Sequence, residues 1–178
     1  MSKTNNYIFL GLKIIAWLIF VGLSIEAGGL IVNFFFSLYK PEFVQNLYQK
    51  LDLGEMYNQS KSAFYGVYSF ILVISFLKAY LFYLVINLVS NFNLSKPFNT
   101  YVSNHITQIS YYTFSIGLIS YIAQQFAKNL MHRGYVTDNL NQFWEDSQAF
   151  ILMAAIVYII AAIFKKGIEI QNENDLTV

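Results

Sequence analysis

Four long apolar stretches constrain the fold of this chain more than any other feature. A helix needs roughly 20 mostly apolar residues to cross about 30 Å of hydrocarbon. Four stretches qualify, at about residues 8–37, 63–89, 105–127 and 149–164. Their long, continuous apolar character disfavours transmembrane strands, which alternate. The sequence therefore predicts an all-α integral membrane four-helix bundle in a single domain.

The composition excludes several other classes of protein. Apolar residues make up 56% of the 178 residues and charged residues 12%, against about 45–50% and about 25% in an average soluble domain. High hydrophobicity excludes disorder, and the lack of cysteine excludes disulfide scaffolds and thiolate metal sites. A net charge of +1 gives no reason to expect direct nucleic-acid binding. The predicted environment is the lipid bilayer.

Four spans place both termini on the same side of the membrane. The Lys and Arg counts of the two sides tie, so the positive-inside rule does not decide the orientation. The pair Lys165–Lys166, directly after the last span, is the best local signal. It favours cytoplasmic termini.

The connections also carry predictions. The first has apolar residues at helical spacing, which fits a short amphipathic helix on the outer membrane surface or, equally, a cap packed over the bundle: Pro41, Phe43, Val44, Leu47, Tyr48 and Leu51. The second, residues 91–104, is short enough to make its two spans antiparallel neighbours. Gly134 in the third predicts a turn, and three aromatic residues are interpreted as interface anchors: Trp17, Tyr135 and Trp144.

Two charges fall inside the predicted spans, Glu26 and Lys78. Intramembrane charges are rare and usually face the interior of a bundle. At about 1.5 Å of rise per residue, the depths of the two could coincide within the uncertainty of the span ends. We hypothesise that Glu26 and Lys78 form an ion pair. A structural pair that sets helix register is favoured over a proton- or ligand-responsive site, and the third alternative is that the two charges make no contact.

Small and polar residues form seams on the spans. Membrane helices associate through such residues, so these seams are interpreted mainly as packing surfaces. The alternative is a water-filled cavity that they line together with Glu26 and Lys78. The polar seam comprises Asn33 on the first span and four residues on the third: Ser110, Gly117, Ser120 and Gln124.

No motif for chemistry is present. The nucleophile elbow, the P-loop and the dinucleotide fingerprint are all lacking. His105 and His132 would lie near opposite membrane faces, and no cluster has metal-ligand spacing. We therefore predict no catalytic residues, no metal and no cofactor, and a protein that is not an enzyme.

Two segments resemble a known family. They are Leu94–Phe98, with its Pro-Phe turn, and Lys165–Val178, which directly follows the last span. Both resemble the bacterial membrane family known as domain of unknown function 2975. The resemblance implies a small four-span protein of the bacterial inner membrane with no assigned activity and no catalytic residues to carry over. It also implies a helix-turn-helix regulator as a cytoplasmic partner.

These observations favour a non-enzymatic binding or regulatory protein. Its partner would dock on the second connection and on the short polar tail, residues 167–178, through a set of candidate residues: Lys96, Pro97, Phe98, Glu169, Glu173 and Asp175. A solvated tail that binds nothing is equally compatible with the sequence. The alternatives are a small transporter or proton-coupled subunit using Glu26 and Lys78, and an accessory subunit of a larger membrane complex.

Overall fold

The computed structural model describes residues 3–40, 44, 47, 51–92 and 97–175, and every regular element in that part of the chain is helical. Among the elements whose bounds the structure describes, four helices are long and two are short. In chain order they are α1 (Lys3–Tyr39), α2 (Gly54–Gln59), α3 (Lys61–Asn91), α4 (Thr100–His132), a 3₁₀ helix (Asp138–Phe143) and α5 (Ser147–Asp175). The all-α prediction is confirmed.

Side chains cap the two central helices. The Ser60 Oγ accepts a hydrogen bond from the Ala63 N–H at 3.3 Å, at the start of α3. The Asn99 Oδ1 accepts one from the Val102 N–H at 2.9 Å, at the start of α4. Such caps satisfy amide groups that the first turn leaves unpaired. After α4 the chain turns at Gly134, whose φ of 86° suits a residue without a Cβ, as predicted.

Three helical segments are long and apolar enough to cross a membrane: Tyr7–Tyr39, Lys61–Asn91 and Asp138–Asn174. They contain the first, second and fourth predicted spans, and they characterise a multi-pass membrane protein. Helix α4, which contains the third predicted span, has 33 residues but does not belong to this apolar set. Its polar seam lowers its hydropathy.

Among the described residues, the long helices contact one another mainly in chain order and so form a row. Extensive contacts join α1 to α3, α3 to α4, and α4 to α5. Ring centroids of Phe70 and Phe126 lie 5.7 Å apart, and those of Tyr80 and Tyr112 lie 4.8 Å apart. Later residues of α3 thus meet earlier residues of α4, so the two helices are antiparallel neighbours, as the short connection predicted.

A hydrophobic core fills the end of the molecule where α1 ends and α3 begins. Val44, Leu47 and Leu51 belong to it and are 0–3% exposed. The Leu47 N–H donates to the Leu51 carbonyl, and the Leu53 N–H to the Val44 carbonyl. The first bond runs opposite to those of an α-helix and the second spans nine residues, so neither is an α-helical bond. The burial supports a cap over the helices rather than a helix on the membrane surface; Pro41, Phe43 and Tyr48 lie outside the described residues.

Trp144 is part of the same core, so its interpretation as an interface anchor is wrong. Its side chain is 2% exposed and packs in the cluster that contains Leu140 and Phe143. The 3₁₀ helix contacts both α3 and α4, and Trp144, which directly follows it, is thereby held in the core. The adjacent apolar stretch did not predict this contact. Trp17, by contrast, is 47% exposed on α1.

Candidate functional site

The seam on α4 is a packing surface against α5. A Cβ at Gly117 would lie 2.7 Å from Cγ1 of Ile151 and 3.0 Å from the Ser147 carbonyl oxygen, so only glycine allows this approach. The buried Ser110 hydroxyl donates to the Ala154 carbonyl at 3.0 Å. Close approach through small residues and interhelical hydrogen bonds is typical of membrane helices.

The other predicted seam residues lie on two different helices, α4 and α1. Ser120 is 1% exposed on α4, and Gln124 is half-buried one turn further along. Asn33 is half-buried on α1, whose extensive contacts are with α3. The structure therefore does not join Asn33 to the α4 seam. Since α5 fills the space beside Ser110 and Gly117, these residues do not line a water-filled path.

Glu26 and Lys78 do not form an ion pair. The Lys78 Nζ lies 3.5 Å from the Phe143 carbonyl oxygen and 5.7 Å from the Phe150 ring centroid. Within the described residues, the ion pair within 4.0 Å joins Lys166 to Glu169 instead. The predicted charge pair is therefore absent from this structure.

The reason lies in the faces of the helices, not in the depth of the charges. Phe20 meets Tyr83, with ring centroids 6.2 Å apart. Glu26 follows Phe20 by six residues and Lys78 precedes Tyr83 by five, so both lie at nearly the same level. Tyr83 and Tyr80 line the groove against α1. Lys78, two residues before Tyr80, lies about 200° around the helix and faces α5.

The structure does bring the Pro-Phe connection and the last helix together. The ring of Phe98 packs on Gly167, where an added Cβ would lie 2.7 Å from Cδ1 of Phe98. The same ring lies 5.2 Å from the Phe164 ring, centroid to centroid. Phe98 stays 41% exposed. The contact joins the two segments on which the sequence analysis placed one partner, and the isolated glycine after the last apolar stretch was the signal for it.

The polar tail continues α5 as far as Asp175. A helical tail carries its charges at fixed spacings, and Lys166 binds Glu169 at 2.9 Å on its exposed surface. Glu173 is exposed one turn further along. Lys96 and the side chain of Asp175 lie outside the described residues. Three of the predicted residues, Phe98, Glu169 and Glu173, are exposed at this end. Together with Lys166 and Gly167, which contact Glu169 and Phe98, they are called here the Phe98–Glu173 surface.

Beside this surface, α4 and α5 separate to form a cavity of about 420 Å³. Its volume falls in the range of about 300–1,000 Å³ that is usual for small-molecule sites. Sequence reasoning missed it, although the hydroxyl and amide residues at the start of α4 were a signal. The lining is mixed: Thr100, Ser103, Asn104, Thr107, Tyr111, Tyr158, Ala161, Ala162, Lys165, Ile168 and Glu169.

The histidines lie apart, as expected. His105 contacts the Tyr101 carbonyl near the start of α4, and His132 ends the same helix, about 40 Å away at 1.5 Å per residue. In the part of the chain that the structure describes, no three His, Asp or Glu side chains are placed to hold a metal.

The apolar helices define the chain as a multi-pass α-helical membrane protein. A family model described as "Protein of unknown function (DUF2975)" matches residues 47–178. The chain belongs to this family, as its two characteristic segments indicated. No curated protein matches the chain, and no solved structure does.

Proposed function

We propose that this chain is a non-enzymatic, four-span protein of the bacterial inner membrane with cytoplasmic termini. In this proposal it binds a soluble cytoplasmic protein at the Phe98–Glu173 surface. A helix-turn-helix regulator is the partner class we propose, since the family resemblance implied one. The membrane helices would hold that partner at the bilayer.

The position of α4 supports a fourth span. Helix α4 lies antiparallel to α3, with contacts at Phe126 near one end and Tyr112 near its middle. If α3 crosses the bilayer, α4 lies at the same depth over that length. Its polar side chains Ser110 and Ser120 are buried against neighbouring helices, so they are not exposed to lipid.

The contact between Phe98 and Gly167 is the observation that carries the binding proposal. This contact holds the exposed ring of Phe98 close to the ion pair between Lys166 and Glu169. Aromatic anchors within a polar rim are the usual composition of protein-binding surfaces. The transport alternative has no such support, because Glu26 and Lys78 do not pair and Lys78 contacts Phe143 and Phe150 instead.

Co-purification in mild detergent tests the binding proposal. Tagged wild-type protein should recover a helix-turn-helix regulator, identified by mass spectrometry, and Phe98→Ala should reduce the recovery at least about fivefold, as expected for loss of an aromatic anchor. Phe114→Ala is the matched control, since Phe114 is 47% exposed on α4 away from this surface. Equal recovery with both variants would reject the surface, and recovery of no regulator would reject the partner class.

Orientation can be tested independently because the chain has no cysteine. Single cysteines at two exposed positions, Asn139→Cys and Lys166→Cys, report opposite ends of α5. In spheroplasts, an impermeant maleimide should label position 139 directly and position 166 only after permeabilisation. The reverse pattern would invert the topology, and direct labelling of both positions would rule out a spanning α5.

A further inference from the structure

The cavity between α4 and α5 has a chemical gradient along its length. Tyr111 and Tyr158 lie at one end, with ring centroids 6.3 Å apart. Lys165 lies seven residues further along α5, about 10 Å from Tyr158, and Glu169 about 6 Å beyond that. The order from the middle of the helices toward their ends is therefore aromatic, hydroxyl, cationic, then anionic.

We propose that this cavity binds a phospholipid with a zwitterionic headgroup, in which a phosphodiester precedes a primary ammonium. The acyl chains would lie along Tyr111 and Tyr158, which are 58% and 51% exposed. The phosphate would contact Lys165, and the ammonium would contact Glu169. Each group of the lipid then meets a side chain of the matching kind in the right order.

Ser103 adds a hydroxyl to the lining of the cavity. The residue is 6% exposed, and it lies on α4 between Tyr111 and the start of the helix. Its hydroxyl can donate a hydrogen bond to a phosphate oxygen near Lys165.

The charges select between classes of lipid. One lysine and one glutamate line the cavity, so their formal charges cancel. Lys166 also holds the Glu169 carboxylate at 2.9 Å, yet a carboxylate accepts several hydrogen bonds and can still receive an ammonium. An anionic lipid would gain from Lys165 but would meet Glu169 as a like charge. The location also suits a headgroup, because Lys165 marks the end of the apolar part of α5.

Native mass spectrometry of the delipidated full chain with defined lipids tests this proposal. Phosphatidylethanolamine should be retained at least about threefold better than phosphatidylglycerol or phosphatidylcholine, given the modest energies of partly exposed ion pairs. Glu169→Gln should remove this preference, and Lys165→Gln should weaken binding of phosphatidylethanolamine and phosphatidylglycerol alike, each by about threefold to fivefold. Ser103→Ala should weaken the binding of these two lipids by a smaller factor than Lys165→Gln does.

Lys13→Gln is the matched control. Lys13 is exposed on α1, one turn after Phe9, which stacks on Phe92 at the same end of the molecule. The variant Lys13→Gln removes the same charge at a similar level of the molecule but outside the cavity. It should therefore leave lipid binding unchanged. Equal retention of the three lipids, stronger retention of phosphatidylglycerol, or equal effects of Lys13→Gln and Lys165→Gln would overturn the proposal. Size-exclusion profiles establish that each variant is folded.

Discussion

Replacing Gly117 with alanine should destabilise the pair α4–α5. The added methyl would lie 2.9 Å from the Ile151 nitrogen, and ordinary contact begins near 3.4 Å, so α5 must retreat by about 0.5 Å. Backbone atoms cannot rotate away as a side chain would. Overpacking of this kind costs about 1–3 kcal/mol, while alanine regains up to about 1 kcal/mol of helix propensity. We expect a net loss of about 1–2 kcal/mol.

The measurement is thermal unfolding in detergent, followed by circular dichroism and by the surviving monodisperse fraction. A loss of that size lowers Tm by roughly 2–8 °C for a protein of this length. Gly22→Ala is the matched control, because nothing lies within 4 Å of the added methyl; it should leave Tm unchanged or raise it. If Gly117→Ala behaved like Gly22→Ala, the close approach of α4 and α5 would be refuted.

Three further experiments test individual contacts by the same unfolding assay. Tyr68→Phe removes the buried hydrogen bond to the Leu30 carbonyl at 2.9 Å and should cost about 0.5–1.5 kcal/mol; an unchanged Tm would contradict that bond. Ser110→Ala removes the hydroxyl that bridges α4 and α5 and should cost about 0.6 kcal/mol, whereas a more stable variant would argue against the bridge. Glu26→Gln and Lys78→Gln should have additive effects, since the charges do not pair; rescue by exchanging the two charges would restore the ion-pair hypothesis.

The positions of three apolar helices and the antiparallel pairing of α3 with α4 were predictable because they depend on local quantities. Apolar length locates a helix in the bilayer, and a short connection leaves its neighbour only one direction. The level of Glu26 relative to Lys78 was predictable too, since rise per residue is constant. The failure of Glu26 and Lys78 to pair was not predictable, because the rotation of each helix about its axis depends on which neighbours it packs against.

The order of the helices in the row also explains why α1 is apolar enough to be recognised as a membrane span from its hydropathy and α4 is not. Helix α1 packs extensively on α3 alone, so most of its circumference is exposed and its sequence is apolar on all sides. Helix α4 lies between two partners and buries Ser110, Thr113 and Ser120. Hydroxyl residues lower the mean hydropathy of a helix, and in α4 these three are covered by neighbouring helices. A more polar helix between two apolar ones is therefore consistent with a central place in the row.

The varying distance between α4 and α5 explains where the candidate surfaces lie. Near Gly117 the helices α4 and α5 approach as closely as backbone atoms allow. Near Lys165 the same two helices leave a cavity of about 420 Å³, and Phe98 packs on Gly167 just beyond it. The tight contact near Gly117 stabilises the fold, and the opening near Lys165 provides the candidate site. Both belong to the interface between α4 and α5. Substitutions in the opening should therefore alter binding while leaving Tm nearly unchanged, whereas substitutions at Gly117 should alter both.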